Sequence, residues 1–254
     1  MSAQRALYSE FLDFMVASGA LLFGDFTLKS GRKSPYFINT GEYKTGAQLS
    51  RLGDFYAKLI HNSVRPPQAR GTVDEKLDDQ SKASINELVS SKFNVLFGPA
   101  YKGIPLVTAT SAKLAADGLD MYVSFDRKER KDHGEGNLIM GYYPKTGDRI
   151  AIIEDVTTAG TSVREIIELL KALGTDASVA ALYVSVDRME RGTGNASAIA
   201  QIRQEFGIDV FAIATAADII DYLEDGSGNR VPIPNASEHA SNIREYLEKY
   251  GTAK

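Results

Sequence analysis

Two adjacent acids, Glu154 and Asp155, stand where an apolar run gives way to a polar turn. The run 150–153 predicts a buried strand, and apolar residues at helical spacing over 163–173 predict a helix beyond the turn. Ligand crevices of α/β sheets lie at such carboxyl ends of strands. The turn supplies hydroxyls, a glycine and the amides of a helix N-terminus in the run Val156, Thr157, Thr158, Ala159, Gly160, Thr161 and Ser162. This combination predicts a site for a phosphorylated sugar.

The two acids would repel a phosphate, which suggests a different task for them. They can accept hydrogen bonds from neutral sugar hydroxyls, or act through the water shell of a metal ion. The alternative interpretation of the whole segment is an ordinary strand-to-helix connection with capping residues.

A second segment, residues 126–137, is dense in charge and contains Gly134 and Gly136. Taken alone, such a charge run indicates a solvated surface loop.

Bulk properties exclude several classes of protein. The chain has 254 residues, 43% of them hydrophobic, which is enough for one domain with a substantial core. A net charge of −4 argues against a nucleic-acid-binding surface. The absence of cysteine excludes disulfides and thiolate metal sites, and three dispersed histidines argue against zinc. The amphipathic, charge-interrupted N-terminus predicts neither a signal peptide nor a membrane span, so we expect a cytoplasmic protein.

Strands and helices alternate from residue 93 onward, which predicts a mostly parallel sheet wrapped by helices, an α/β fold. The predicted strands are 93–97, 121–125, 149–153, 177–186 and 210–214, and the predicted helices are 104–116, 163–173 and 199–206. A helix at the N-terminus, a hairpin at 21–39 and helices at 48–61, 217–223 and 236–250 lie outside this alternation. We therefore expect one domain over 1–254, with a core at about 88–216 and a cap built from about 1–62 and 217–254.

Residues 64–84 are polar, with Pro66, Pro67 and Gly71 followed by mixed charge. This composition predicts a surface insertion that buries little, is mobile and lies away from the chemistry.

The two acids, the apolar residue and the Thr-Ala-Gly-Thr turn resemble the phosphoribosyl diphosphate (PRPP) motif of the type I phosphoribosyltransferases. Four further segments narrow the resemblance to the orotate phosphoribosyltransferase family. Within 126–137 the pattern is Arg-Lys-Glu-x-Lys-Asp-His-Gly-Glu-Gly, and residues 26–37 read Phe-Thr-Leu-Lys-Ser-Gly-Arg-Lys-Ser-Pro-Tyr-Phe. Residues 98–105 read Gly-Pro-Ala-Tyr-Lys-Gly-Ile-Pro, and Asp187-Arg188 follows a later strand.

The resemblance implies the type I phosphoribosyltransferase fold, with a hood over the sheet. It implies transfer of the 5-phosphoribosyl group from PRPP to N1 of orotate, giving orotidine 5-phosphate and pyrophosphate in pyrimidine synthesis. Mg²⁺ would be held mainly through PRPP and water rather than directly by the protein. The resemblance also implies a homodimer in which loop 126–137 of one subunit closes over the site of its partner.

The resemblance assigns site residues one by one. PRPP would be bound by Lys29, Tyr101, Lys102, Arg127, Lys128, Lys131, His133, Glu154, Asp155, Val156, Thr157, Thr158, Ala159, Gly160, Thr161 and Ser162. Orotate would be bound by Lys29, Tyr36, Phe37, Thr158 and Arg188. Catalysis would rest on Lys131, Arg127, His133, Glu154 and Asp155, because cations can follow the departing pyrophosphate while the acids orient the ribose. An aromatic pair suits a flat pyrimidine, and a guanidinium matches a carboxylate.

Two alternatives remain open at the level of sequence. A purine or other pyrimidine phosphoribosyltransferase would share the PRPP motif, but would leave Arg188 without a carboxylate to bind. A PRPP-binding regulator that has lost catalysis would be expected to have a damaged cationic loop and an added basic surface for nucleic acid, and the sequence shows neither. A bifunctional chain that also decarboxylates the product would need to be longer.

Overall fold

The structure is a computed structural model that describes residues 3–28, 30–71, 75–128, 138–156, 161–192, 196–225 and 231–252. Its helices and strands are α1 Ala3–Ala17, β1 Leu21–Thr27, β2 Lys33–Ile38, α2 Gly46–Ser63, α3 Asp79–Ser90, β3 Val95–Gly98, α4 Gly103–Ala116, β4 Tyr122–Asp126, β5 Ile139–Gly141, β6 Arg149–Val156, α5 Thr161–Ala172, β7 Ser178–Asp187, α6 Ala198–Phe206, β8 Asp209–Thr215, α7 Ala216–Asp225 and α8 Ala236–Tyr250. None of these helices is both long enough and apolar enough to cross a membrane.

Six strands form the central sheet in the order β5-β4-β3-β6-β7-β8. Neighbouring strands are parallel except at the edge, where β4 and β5 are antiparallel. The chain moves outward from β3 to β4, then returns to β6 on the other side of β3, so the direction of winding reverses between β3 and β6. The predicted α/β fold with a mostly parallel sheet is confirmed. Sheets of this kind bind ligands at the carboxyl ends of the strands where the winding reverses, here β3 and β6.

The sheet buries both faces, which explains the unbroken apolar run of β6. Ala151 and Ile153 pack into one core with α1, α2, α4, α7 and α8, and Ile150 and Ile152 pack into a second core with α5 and α6. The apolar run stops at Glu154, where the strand leaves the two cores.

The β1–β2 hairpin, predicted at 21–39, is confirmed as an antiparallel pair outside the central sheet. It packs on α8 through aromatic contacts: Phe23 and His239 stack at 5.1 Å between ring centroids, and Tyr36 meets Tyr246 edge-on at 6.3 Å. Hairpin and C-terminal helix thus form a hood over one end of the sheet.

Two elements were not predicted. Helix α3 was missed because its sequence is largely polar and buries a narrow stripe consisting of Ile85 and Val89. Strand β5 was missed because it has three residues and directly follows a charged segment. Both omissions reflect tertiary contacts that compensate for a weak local pattern.

The segment 64–84 contains a helix start and side-chain contacts that its composition does not predict. Helix α3 begins inside it, capped by Asp78, whose side chain accepts a hydrogen bond from the Ser81 amide at 2.8 Å. The Asn62 side chain accepts a hydrogen bond from the Gly71 amide at 3.0 Å and donates one to the Gly71 carbonyl at 2.8 Å. Glu75 pairs with cations on α2 and just after it, Lys58 and Arg65, at 3.2 and 3.0 Å. Among the described residues of this segment only Gly71 is buried, so the prediction of little burial is confirmed there, and its mobility stays a prediction. Residues 72–74 lie outside the described part.

Candidate active site

The two acids at the end of β6 are bonded differently although they are neighbours. Asp155 Oδ2 accepts hydrogen bonds from Lys102 Nζ at 2.9 Å and from Thr40 Oγ1 at 2.7 Å. Glu154 Oε1 accepts a hydrogen bond from the Asp155 amide at 3.1 Å. Among the described residues, no cation pairs with Glu154. We call Thr40, Lys102 and Asp155 the Asp155 cluster.

These surroundings move the two pKa values in opposite directions. Burial raises the pKa of Glu154 to about 7, and the negative charge of Asp155 adds to the rise. Burial acts in the same direction on Asp155, but the hydrogen bond and charge of Lys102, with the hydrogen bond from Thr40, hold the pKa of Asp155 below its usual range. The site therefore contains one carboxylate that stays charged at neutral pH and one that exchanges its proton there.

Lys102 reaches Asp155 from a tight loop between β3 and α4. A Cβ on Gly98 would lie 2.3 Å from the Gly103 carbonyl oxygen, and a Cβ on Gly103 would lie 2.7 Å from the Gly98 carbonyl carbon. Neither position has room for a side chain, so the two glycines allow the loop 99–102 to close on itself. The close approach brings Lys102 to the carboxyl ends of the strands, beside β6.

The same loop is attached to β4. The Ala100 amide donates to Asp126 Oδ1 at 2.5 Å, and the Ala100–Tyr101 peptide is cis. The Tyr101 side chain is 69% exposed. Of the two loop residues predicted at pyrophosphate, Lys102 lies against Asp155 and Tyr101 faces solvent, and their contacts with PRPP stay predictions.

Arg188, at the carboxyl end of β7, is held on several sides. Its Nε donates to Glu190 Oε1 at 2.6 Å and its NH2 donates to Ser34 Oγ on β2 at 3.0 Å. Its guanidinium carbon lies 4.2 Å from the centroid of the Tyr36 ring. The side chain is 5% exposed. Arg188 is therefore a buried cation whose guanidinium is already held in place by these contacts.

The predicted aromatic pair divides between two environments. Tyr36 has no accessible surface, because its ring packs beneath Arg188 and against Tyr246. Phe37, on the opposite side of the strand, is half-buried and stacks on Phe26 at 5.4 Å. The Tyr36 ring therefore supports Arg188 in this structure, and its predicted place beside orotate stays a prediction.

Two cations of the predicted mobile loop are described. Lys128 Nζ lies 3.0 Å from Glu165 Oε2 on α5 and 3.6 Å from Asp126 Oδ2, so it pairs here with acids of its own subunit. Arg127 lies beside it, and its amide donates to the Leu138 carbonyl at 2.7 Å. Their contacts with PRPP stay predictions.

Several predicted site residues lie outside the described part of the chain: Lys29, Lys131, His133, Thr157, Thr158, Ala159 and Gly160. The residues that flank the phosphate turn are described. Val156 ends β6, and Thr161 and Ser162 open α5, as the sequence predicts for a helix N-terminus beyond the acids.

Sequence reasoning missed Thr40, Asp126 and Glu190, although each contacts a predicted site residue. Glu190 carried a signal, because an acid two residues after a buried arginine is a ready partner for it. Thr40 carried none, since it lies 115 residues from the aspartate that it contacts.

The fold is that of a phosphoribosyltransferase, and it places an acid pair where the sheet's winding reverses, next to the start of a helix. A family model described as a phosphoribosyl transferase domain matches residues 74–205.

Comparison with related sequences and with a solved structure identifies the family within the phosphoribosyltransferases. The orotate phosphoribosyltransferase of Clostridium beijerinckii is 43% identical over 248 residues, 97% of this chain and 99% of that protein. That of Lachnoclostridium phytofermentans is 44% identical over 244 residues, 95% of this chain and 96% of its own. A crystal structure of the Francisella tularensis orotate phosphoribosyltransferase superposes with a TM-score of 0.72 at 36% identity, covering 96% of this chain and 100% of that one. This chain belongs to the orotate phosphoribosyltransferase family.

Proposed function

We propose that the protein transfers the 5-phosphoribosyl group from PRPP to N1 of orotate, giving orotidine 5-phosphate and pyrophosphate, as a cytoplasmic step of pyrimidine synthesis. The observation that carries this proposal is a pair of distinct charged groups at the carboxyl ends of two neighbouring strands. Asp155 of the Asp155 cluster lies near the end of β6, and the buried Arg188 follows β7.

The phosphoribosyl half of the reaction would use the Asp155 cluster. Asp155 offers a charged carboxylate to ribose hydroxyls, which are neutral donors. Lys102 is 62% exposed at its side chain, so it can leave Asp155 and turn to the pyrophosphate when PRPP takes its place. The anomeric carbon develops positive charge as the leaving group departs, and the acid pair beside it favours that charge.

The orotate half would use Arg188. A guanidinium binds a carboxylate through two parallel hydrogen bonds, and burial strengthens this interaction relative to water. Phe37 lies on the face of β2 opposite Tyr36 and keeps part of its ring accessible for a flat ligand.

Magnesium belongs to the proposal as a partner of PRPP. Among the described residues, no group of three His, Cys, Asp or Glu side chains is arranged to hold a metal ion. Glu154 and Asp155 can accept hydrogen bonds from metal-bound water, so they fit an ion held mainly by PRPP oxygens and water. Such an ion would neutralise charge on the departing pyrophosphate.

A homodimer with a shared loop is also part of the proposal. Lys131 would reach the partner's PRPP site, where an ammonium on a flexible stem can stabilise the leaving group more strongly in the transition state. Lys131→Ala should lower kcat by about 10²-fold or more, as loss of one electrostatic stabiliser does.

Subunit mixing tests the shared loop. Lys131→Ala and Asp155→Asn homodimers should each be nearly inactive, and exchange between them should restore about a quarter of wild-type activity, because half of random dimers are mixed and each has one intact site. Each variant exchanged with itself is the control. Demonstrated exchange without recovered activity would reject a loop shared between subunits.

The reaction itself is tested by loss of orotate absorbance and by release of pyrophosphate when purified protein is mixed with orotate, PRPP and Mg²⁺; pyrophosphate release is the readout for other bases. Omitting PRPP or replacing orotate by uracil or a purine base should abolish turnover. Turnover with a purine base but not with orotate would refute the proposed substrate.

A further inference from the structure

Glu190 accepts hydrogen bonds from residues of three separate parts of the chain, one of which is Arg188. Its Oε1 accepts hydrogen bonds from Arg188 Nε at 2.6 Å and from the Tyr246 hydroxyl of α8 at 2.8 Å. Its Oε2 accepts a hydrogen bond at 3.2 Å from Arg32 NH1, in the turn between β1 and β2. The Glu190 side chain is 10% exposed. We call these four residues the Glu190 cluster.

The backbone conformation brings the Arg188 and Glu190 side chains together. Met189, between them, has a φ of 55°, in the left-handed region that residues other than glycine rarely adopt. The Met189 amide donates to Asp187 Oδ1 at 2.8 Å, which supports the turn from its other side.

The C-terminal end of the chain holds this turn. The Arg191 amide donates to the Tyr250 carbonyl at 2.8 Å, and the Thr252 amide donates to the Met189 carbonyl at 3.1 Å. A cavity of about 670 Å³ lies against the same turn, lined by Met189 and Leu247 among others.

From these contacts, and resting on the proposed function, we infer that Glu190 is a positioning residue that aims Arg188 at the carboxylate of orotate. Glu190 holds Nε, Ser34 holds one side of NH2, and the Tyr36 ring lies beneath the guanidinium. With Nε held, the terminal nitrogens remain the edge that can face a ligand carboxylate. A guanidinium ordered in advance loses less freedom when the ligand binds.

The charges of the Glu190 cluster agree with this role. Two arginines share one described carboxylate, so the cluster carries one net positive charge before the substrate binds. One substrate carboxylate would neutralise it, which favours an anionic pyrimidine over a neutral one.

Steady-state kinetics of Glu190→Ala and Glu190→Gln test the inference. The alanine variant should raise the KM for orotate about tenfold or more, while kcat and the KM for PRPP change less than about twofold. Glutamine keeps an oxygen acceptor for Arg188 and Tyr246, so it should rescue part of the loss and raise that KM by about threefold. Glu245→Ala, an exposed acid on α8, is the matched control and should behave as wild type.

A double variant separates positioning from a general structural role. In an Arg188→Ala background, adding Glu190→Ala should change the orotate KM by less than about twofold, because Glu190 acts through Arg188. A further tenfold rise there would overturn the inference, as would equal losses for both substrates. If the alanine variant does not fold, the glutamine variant decides, and a wild-type orotate KM in it overturns the inference.

The outcome also distinguishes the inference from the proposed function. A strong orotate defect in Arg188→Ala with none in Glu190→Ala overturns the positioning role alone. A wild-type orotate KM in Arg188→Ala overturns both the positioning role and the assigned orotate contact.

Discussion

The Asp155 cluster and the Glu190 cluster hold their charges in different ways. Lys102 touches Asp155 through a 2.9 Å contact, and its side chain is 62% exposed. Arg188 is 5% exposed and is held by Glu190, Ser34 and the Tyr36 ring. The first cation can exchange partners at little cost, whereas the second is fixed before any ligand arrives.

This difference suits the two halves of the proposed reaction. A leaving group moves during the reaction, so a cation that stabilises it must be able to follow. A carboxylate that identifies the substrate stays in place, so a rigid partner recognises it better. Strand β2 and the turn after it connect the two ends, with Ser34 at Arg188 and Thr40 at Asp155.

Removing the rigid cation should have the largest effect. Arg188→Ala should weaken orotate use by about 2 to 4 kcal/mol, as loss of a charge-assisted pair in a desolvated site does, while PRPP binding survives. Arg188→Lys should recover little, because an ammonium lacks the planar fork. Binding titrations with each substrate measure this, and equal losses for both would reject the role of Arg188.

Removing the exchangeable cation should affect the other substrate. Lys102→Ala should lower kcat/KM for PRPP by about 10²-fold, with orotate affinity changed less than about twofold. Lys113→Ala, a partly exposed lysine further along α4 that pairs with Asp54, is the matched control. A comparable loss of orotate affinity in Lys102→Ala would show that the two ends are not separable.

The acid pair gives a prediction for stability. The pKa of Glu154 rises from its usual 4.5 to about 7 on folding, so the folded chain binds this proton more tightly than the unfolded chain. Stability therefore falls as pH rises through that window. Glu154→Gln removes this contribution. The free energy of unfolding of the variant minus that of wild type should therefore be about 1 to 3 kcal/mol larger at pH 8 than at pH 5. Urea unfolding at both pH values measures it, and parallel pH profiles for the two proteins would contradict the raised pKa.

The smallest effect is expected at Tyr36. Within the described part of the chain, its buried hydroxyl has no hydrogen-bond partner. Tyr36→Phe keeps the ring under Arg188 and removes that hydroxyl, so stability should stay the same or rise by up to about 1 kcal/mol. The orotate KM should also be unchanged. A raised orotate KM would mean that the hydroxyl itself serves the ligand.

Much of the fold was readable because its strands are buried on both faces. The unbroken run 150–153 and the alternation of elements after residue 93 predicted the parallel sheet, and the acids after that run predicted where its site lies. Helix α3 and strand β5 were not predicted, because the sequence of α3 is largely polar and strand β5 is short.

The sequence by itself determined that charged residues follow or end the buried strands β3, β6 and β7, because local composition shows where an apolar run stops and a turn begins. Tertiary structure decided their partners. Arg32 meets Glu190 across 158 residues of chain, and Thr40 meets Asp155 across 115. Those contacts depend on how the hood packs over the sheet, so no local pattern reports them. Burial, together with the contacts of Asp155 with Lys102 and Thr40, also sets opposite pKa shifts on Glu154 and Asp155, two adjacent acids that look equivalent in the sequence.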